Sequence, residues 1–471
     1  MVTRSISLDL ALYWFGQYKQ LISRIMVLTV IVMTSAYFAP RIVTGNSLFA
    51  LLFLFILGLS VGLVFLKLPS LGLVVFIPTS LLVPFGFGTG TGTDLSAPVL
   101  LVLLLSGLWV FDMGVRQKRL NLFASRVLLA MGIFVLIAIL AFILGLLTWV
   151  PLAQHAPINA QIAGLAVFIV SALAFVLAVH QITDLRWLQA ITWVFLIIGA
   201  VYIIGRFIPA LGIRRFFQWG SDGSLFWLWL VAISFSQAVF NRDLKPFWRL
   251  ALLGLAVATF SFSLFQFRDW ASGWLPALAA VVIIVSLRSW RVALGLILVG
   301  VIIKLVTDPG LFGVLAEEEQ YSIDTRWVAY EIVLQLARAN PILGLGMSNY
   351  YHYTPIIPIM GWYVEFNSHS QYIDLIAQTG ILGLICFFWL FVEIGKVGWR
   401  LRTQVKDGFQ YAYVIGAMGG LVGMLVAGIL GDWVLPFVYN VGLVGLRSSL
   451  IAWLFLGGLV AVDKHLRNQT C

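Results

Sequence analysis

Long apolar runs, separated by short polar punctuation, fill the chain from about residue 22 to residue 462. They show neither the strict alternation of a half-buried strand nor the narrow stripe of a surface helix. Most are apolar all round and approach the roughly 20 residues that cross a hydrocarbon core as a helix. Fourteen such runs can be read, at 22–40, 48–66, 71–85, 97–111, 126–148, 158–180, 184–208, 222–240, 247–264, 271–287, 290–306, 373–396, 410–430 and 444–462. The third and fourth are short enough to be tilted, re-entrant or broken. The pattern predicts an all-α polytopic membrane protein with 12–14 transmembrane helices. The short alternating segments of a β-barrel are absent.

Between the runs, one segment stands apart. Residues 307–372 form a long loop that would lie over the membrane domain as a lid. Within it, "DTRWVAYEIVLQLARAN" predicts a helix with Asp324 as N-cap and an apolar stripe of Trp327, Ile332, Val333 and Leu336. Asn340-Pro341 should end it, because a residue before proline disfavours the helical region. "GFGTGTGTD", 86–94, lacks the Lys-Ser/Thr pair of a phosphate loop and reads as a flexible outer loop. "GAMGGLVGMLVAGILG", 416–431, offers Gly416, Gly419, Gly420 and Gly423 for close helix approach. The polar "SISLDLALYWFGQYKQ" near the start is no signal core. It reads as an interfacial helix with Trp14 and Tyr18 at the headgroups, so residues 1–21 form a cytoplasmic N-terminal segment. Residues 22–462 form the transmembrane domain and 463–471 a cytoplasmic tail.

Charge adds orientation. Only 10% of residues are charged, against about 25% in soluble domains. With the N-terminus inside, most of the 29 basic residues fall in cytoplasmic segments, and both termini are cytoplasmic. The net charge of +10 therefore requires no nucleic-acid partner. Cys386 and Cys471 set no disulfide framework.

Some basic residues are left over. Arg41, Arg206, Arg214, Arg215, Arg268, Lys304, Arg326, Arg338 and Arg447 fall outside or near the outer leaflet, where topology does not need them. Arginine suits bidentate phosphate contacts, although a single one can simply snorkel to the interface. The five histidines, His155, His180, His352, His369 and His465, match no metal-ligand spacing. His369 lies directly before an apolar run in "FNSHSQYIDLIAQTGILGL". A neutral imidazole there can accept a proton from an attacking hydroxyl. The set suggests an anionic lipid headgroup beside a base. A transporter would place ionisable groups mid-span, whereas most acids here lie in loops or at span ends. A non-catalytic lipid-binding protein is the other alternative.

"RWVAYEIVLQLARANPILGLGMSNYY", followed by "HSQYIDLIAQTGILGL", resembles the core of the O-antigen ligase and polymerase superfamily. Arg326, Asn340, Pro341, Gly344, Gly346, His369, Tyr372, Gly380 and Gly383 fall on its pattern. Upstream, "FRDWASGWLPALAAVV" with Arg268 and "RRFFQWGSDGSLFWLWL" with Arg215 resemble segments that carry functional arginines. Ser370 stands where Asn is usual, Phe267 where Ser is common, and Gln378 near a usual Glu. The resemblance covers roughly 210–400. It implies a metal-independent, cofactor-free glycosyltransferase of the bacterial inner membrane. The donor would be a glycan on a polyprenyl pyrophosphate, and the acceptor a glycan or glycolipid hydroxyl. His369 would be the base, and Arg215, Arg268 and Arg326 would hold the pyrophosphate. Tyr350, Tyr351 and Tyr372 could stack on sugars. Ligase is the first reading, and polymerase and anion or polysaccharide transport are the alternatives.

Overall fold

The structure, a computed structural model, describes residues 61–88, 94–119, 122–218, 223–268, 270–295, 298, 311–405 and 407–470, with backbone alone for 311–323. The chain divides into two units, 1–68 and 69–471. In the first, residues 61–67 are helical. The interfacial helix expected near the start, the run at 22–40 and most of the runs at 48–66 and 290–306 lie outside the described residues.

Every other apolar run forms a helix. In chain order these are α1 (Pro69–Leu82), α2 (Ala97–Phe111), α3 (Arg126–Leu144), α4 (Ile158–Gln181), α5 (Leu185–Phe207), α6 (Ser224–Phe240), α7 (Pro246–Gln266) and α8 (Ala271–Arg288). They are followed by α9 (Leu311–Ala337), α10 (Asn349–Tyr353), α11 (Gln371–Gln404), α12 (Phe409–Leu430) and α13 (Leu446–Thr470). Among the described residues, nine helices are long and apolar enough to cross a membrane, while α1 and α6 are shorter apolar helices. The protein is an all-α polytopic membrane protein.

Alternate helix ends meet, as a chain threading back and forth requires. At one end, the Arg447 guanidinium donates to the carbonyls of Ser80, Val83 and Phe85, tying the start of α13 to the end of α1. There too, Ser272 Oγ donates to the Leu430 carbonyl. At the opposite end, Gln237 Nε2 donates to the Phe409 carbonyl, and Arg400 pairs with Asp463 at 2.6 Å. The α12 glycines make the close contacts their spacing predicts. A Cβ on Gly419 would come within 2.8 Å of the Ala280 carbonyl, and one on Gly420 within 2.6 Å of the Trp229 ring.

Three local expectations are corrected. Gly86–Gly88 pairs antiparallel with Asp94–Ser96, so the ends of the glycine-rich loop form a short hairpin. The lid helix α9 begins at Leu311, so Asp324 is not its N-cap. The strong helix formers of "LFGVLAEEEQ" carry the helix backward past the point where a cap was read. Trp327 is 63% exposed and leaves the apolar stripe, whereas Ala329, Ile332, Val333 and Leu336 pack on Leu345, Tyr350, Tyr353 and Phe437. The helix stops at Ala337, three residues before Asn340-Pro341.

The 34-residue α11 is broken at Gly380, where φ is 67° and ψ −172°. A break in a membrane helix frees backbone groups that lipid cannot satisfy. The Pro341–Gly346 loop satisfies them. Leu345 and Gly346 N–H groups donate to the carbonyls of Ala377 and Gln378 at 2.8 and 3.2 Å. Ile381 and Leu382 N–H groups donate to Pro341 and Ile342 at 2.9 and 3.3 Å. The glycine-bearing motif is thus a backbone splice that fixes the half-helix 371–379. Gly344, with φ of 75°, leaves no room for a Cβ at the splice, and Gly346, with φ of 90°, leaves none against Gly145 at the end of α3.

Candidate active site

His369 stands two residues before α11, at the end of the bundle where the lid lies. Its φ of 50° is left-handed, a conformation that costs about 1–2 kcal/mol for a residue with a Cβ. The cost is met by the buried residues around it, Asn367, Ser368 and Ser370. Ser368 Oγ donates to Asp374 Oδ1 at 2.6 Å and accepts from the Ser370 N–H at 3.1 Å. The Tyr350 hydroxyl donates to the same Asp374 oxygen at 2.5 Å and accepts from the Ser368 N–H at 3.3 Å. Asp374 is 1% exposed, one turn into α11, and its second oxygen is buried without a partner.

The imidazole itself is left available. It carries no side-chain hydrogen bond among the described residues and is exposed at its solvent edge. Partial desolvation lowers its pKa below the usual histidine value, and the charge of Arg326 lowers it further. Both favour the neutral, proton-accepting form. Tyr330, one turn after Arg326 on α9, interacts with Ser370, and burial raises its pKa. The lid helix therefore brings Arg326 and Tyr330 onto the His369 turn.

A second buried acid backs this network. Asp432, in the α12–α13 connection, accepts from the Phe437 N–H at 2.7 Å and from Asn440 Nδ2 at 2.5 Å. Burial nonetheless raises its carboxyl above the ordinary range. It fixes a turn that places Phe437 on the Tyr350 ring, with centroids 4.9 Å apart.

Arg215 and Arg268 lie at the same end, on neighbouring connections. Arg215 sits in the turn Ile213–Phe216 after α5, its guanidinium 4.9 Å from the Phe216 ring centre. Arg268 is exposed in the α7–α8 turn, and its carbonyl accepts from Trp274 Nε1 at 3.2 Å. Two residues on, Trp270 packs on Trp433, which follows Asp432, with centroids 5.4 Å apart. The α7–α8 turn thus reaches the connection that supports His369.

The tyrosines divide. Tyr350 is wholly buried, so its ring has no face for a sugar, and its hydroxyl serves Asp374. Tyr372 stacks on Phe388 within the bundle and donates to the Leu425 carbonyl at 2.6 Å. Tyr351 is half-buried and stacks on Tyr439. Sequence reading passed over Ser368, Asp374, Asp432 and Tyr330. The signal for Asp374 was present, since an acid within an apolar span marks a functional site by default.

Tyr350→Phe should isolate the role of that hydroxyl. It strips one donor from a buried carboxylate, so the expected loss is about 1–3 kcal/mol. A lower melting temperature of the detergent-solubilised protein would show it.

A broken membrane helix, the lid helix and a histidine beside an arginine meet at one end of the bundle. The family described as O-antigen ligase matches residues 220–388, which supports assigning the chain to the O-antigen ligase superfamily. The match contains Arg268, Arg326, His369 and the α11 break, and it leaves Arg215 outside. It supports a ligase- or polymerase-type role in glycan biosynthesis at a membrane. No curated protein matches the chain.

Proposed function

We propose that the protein transfers a glycan from a polyprenyl-pyrophosphate carrier to an acceptor hydroxyl, as an O-antigen ligase does. The observation that carries this reading is the unbonded His369 imidazole, held by a buried network beside Arg326. The acceptor oxygen attacks the anomeric carbon of the donor while His369 takes its proton. The bond from that carbon to the pyrophosphate oxygen breaks, and the electron pair leaves with the phosphate. Arg215, Arg268 and Arg326 neutralise the charge that develops there. Apolar helix faces hold the polyprenyl tail.

The site end faces outward in this reading. Arg116, Lys118, Arg119, Arg126, Arg242, Lys245, Arg249, Arg288, Arg402, Lys464 and Arg467 gather at the opposite helix ends, which the positive-inside rule places in the cytoplasm. The protein is then a multi-pass protein of the bacterial inner membrane with both termini inside.

Glycan analysis of cells lacking the gene tests this. Long glycan stranded on the carrier, with bare acceptor, is the expected result. Acceptor capped with single repeats would instead make the protein a polymerase, and an unchanged glycan profile would refute both.

The lowered His369 pKa sets the pH dependence. A base must be unprotonated, so kcat/KM should fall as pH drops through a limb below the usual histidine value of about 6.5. Arg326→Gln removes one lowering influence, so the limb should move to higher pH. A limb that stays in place would separate Arg326 from the titration of His369.

A further inference from the structure

A second constellation lies on the lid, four residues from His369 in sequence, and the mechanism above does not use it. Glu365 Oε1 meets His352 Nδ1 at 2.7 Å, and His352 Nε2 meets the Tyr439 hydroxyl at 3.0 Å. Tyr439 lies flat against Tyr351, with centroids 4.5 Å apart and planes 14° apart. The carboxylate is 43% exposed, and the imidazole behind it 19%. Glu365 Oε2 has no partner among the described residues. An exposed carboxylate oxygen, a bonded imidazole and a tyrosine pair thus share one surface.

This surface is joined to the base. Phe437 touches both Tyr351 and Tyr350, and Tyr350 holds the turn that carries His369. It borders the α3–α4 connection, whose Trp149, Val150 and Ala153 pack on the same cluster. Of the arginines assigned to the pyrophosphate, Arg215 and Arg268 belong to other connections, after α5 and after α7, while Arg326 lies on the lid helix beside His369. A substrate resting on Tyr351 and Tyr439 would approach His369 from the lid side, leaving the side of Arg215 and Arg268 to the carrier.

We propose that Glu365, His352, Tyr351 and Tyr439 form a subsite for a sugar ring of the acceptor. The inference rests on the glycan-transfer reading. A pyranose presents apolar C–H faces that pack on aromatic rings and a rim of hydroxyls that donate to carboxylates. His352 orients the carboxylate through one nitrogen and the tyrosine hydroxyl through the other.

Steady-state transfer by the full-length protein in phospholipid vesicles tests the assignment. The acceptor probe is the bare acceptor isolated from cells lacking the gene. Glu365→Gln and Tyr439→Phe are each expected to raise the acceptor KM about tenfold while kcat and the donor KM stay within about twofold, the pattern of a lost binding contact. Tyr351→Ala should act in the same way and more strongly. If the wild type transfers glycan and none of the three variants changes the acceptor KM, the subsite is wrong and the glycan-transfer reading stands. A rise in donor KM alone would also overturn it, as would a fall in kcat alone, which marks a structural clamp. A wild type that transfers nothing from an authentic donor would sink the reading and the subsite together.

Discussion

Alanine in place of His369 is expected to reduce kcat by about 10²–10⁴-fold, the range for removing a positioned general base. Neither substrate KM should change greatly, because the proposal assigns the phosphate to the arginines and the acceptor to the lid. The structure supplies an unusually clean control. His369 occupies a left-handed conformation, so glycine suits its backbone better than histidine does. His369→Gly should therefore be at least as heat-stable as the wild type and as inactive as the alanine variant. The pair separates chemistry from folding. Activity in either variant within about threefold of the wild type would exclude His369 as the base, because that is far less than a base contributes.

The second large effect is structural. Gly380→Ala should yield no properly folded protein. An added Cβ would overlap the Ile342 carbonyl, and φ of 67° with ψ of −172° is a region open essentially to glycine alone. Gly344→Ala should fail alongside it, because its Cβ would lie 2.6 Å from backbone atoms of Gln378, Thr379 and Gly380. Both strands of the splice are backbone, so no side chain can swing aside. Gly107→Ala and Gly132→Ala are the controls, with nothing within 4 Å of an added Cβ. Size-exclusion profiles of the solubilised proteins would show aggregation for the first pair and a single wild-type peak for the second. A folded Gly380→Ala variant would mean that the half-helix is not spliced as described.

Hydropathy made the bundle legible, because a lipid-facing helix must be apolar over its whole length and such a run is hard to mistake. The α12 glycines were legible for a related reason, since small residues at helical spacing have few uses but close packing. The lid was harder. Asp324 has the chemistry of a cap, yet nothing in "LFGVLAEEEQ" stops a helix from starting earlier. Trp327 falls on the expected stripe, but its place toward the core is taken by the smaller Ala329. His369 and Arg326 were picked out separately, and their pairing depends on α9 crossing the start of α11. The support for His369 was illegible because it is assembled from distant segments. Tyr350, Ser368, Asp374 and Phe437 meet only once the splice and the Asp432 turn are built. The same holds for His352, which meets Glu365 within the lid and Tyr439 across from it.

The buried network beneath His369 also bears on how such a protein can change its partners. In the proposed reaction the base takes its pose from Ser368, Tyr350 and Asp374, all wholly or nearly wholly inside. The stretch from Pro358 to Glu365 is largely exposed, with Trp362 72% and Tyr363 68% accessible. In that reading the proton acceptor is anchored inside, while Glu365 of the proposed subsite ends an exposed stretch that includes a short hairpin closed by the Ile359–Trp362 bridge. Exchanging the exposed residues of that stretch would then leave the buried support of the proton acceptor in place. A lineage could therefore switch from one cell-surface polymer to another through a few exposed substitutions, keeping the catalytic floor as a constant part.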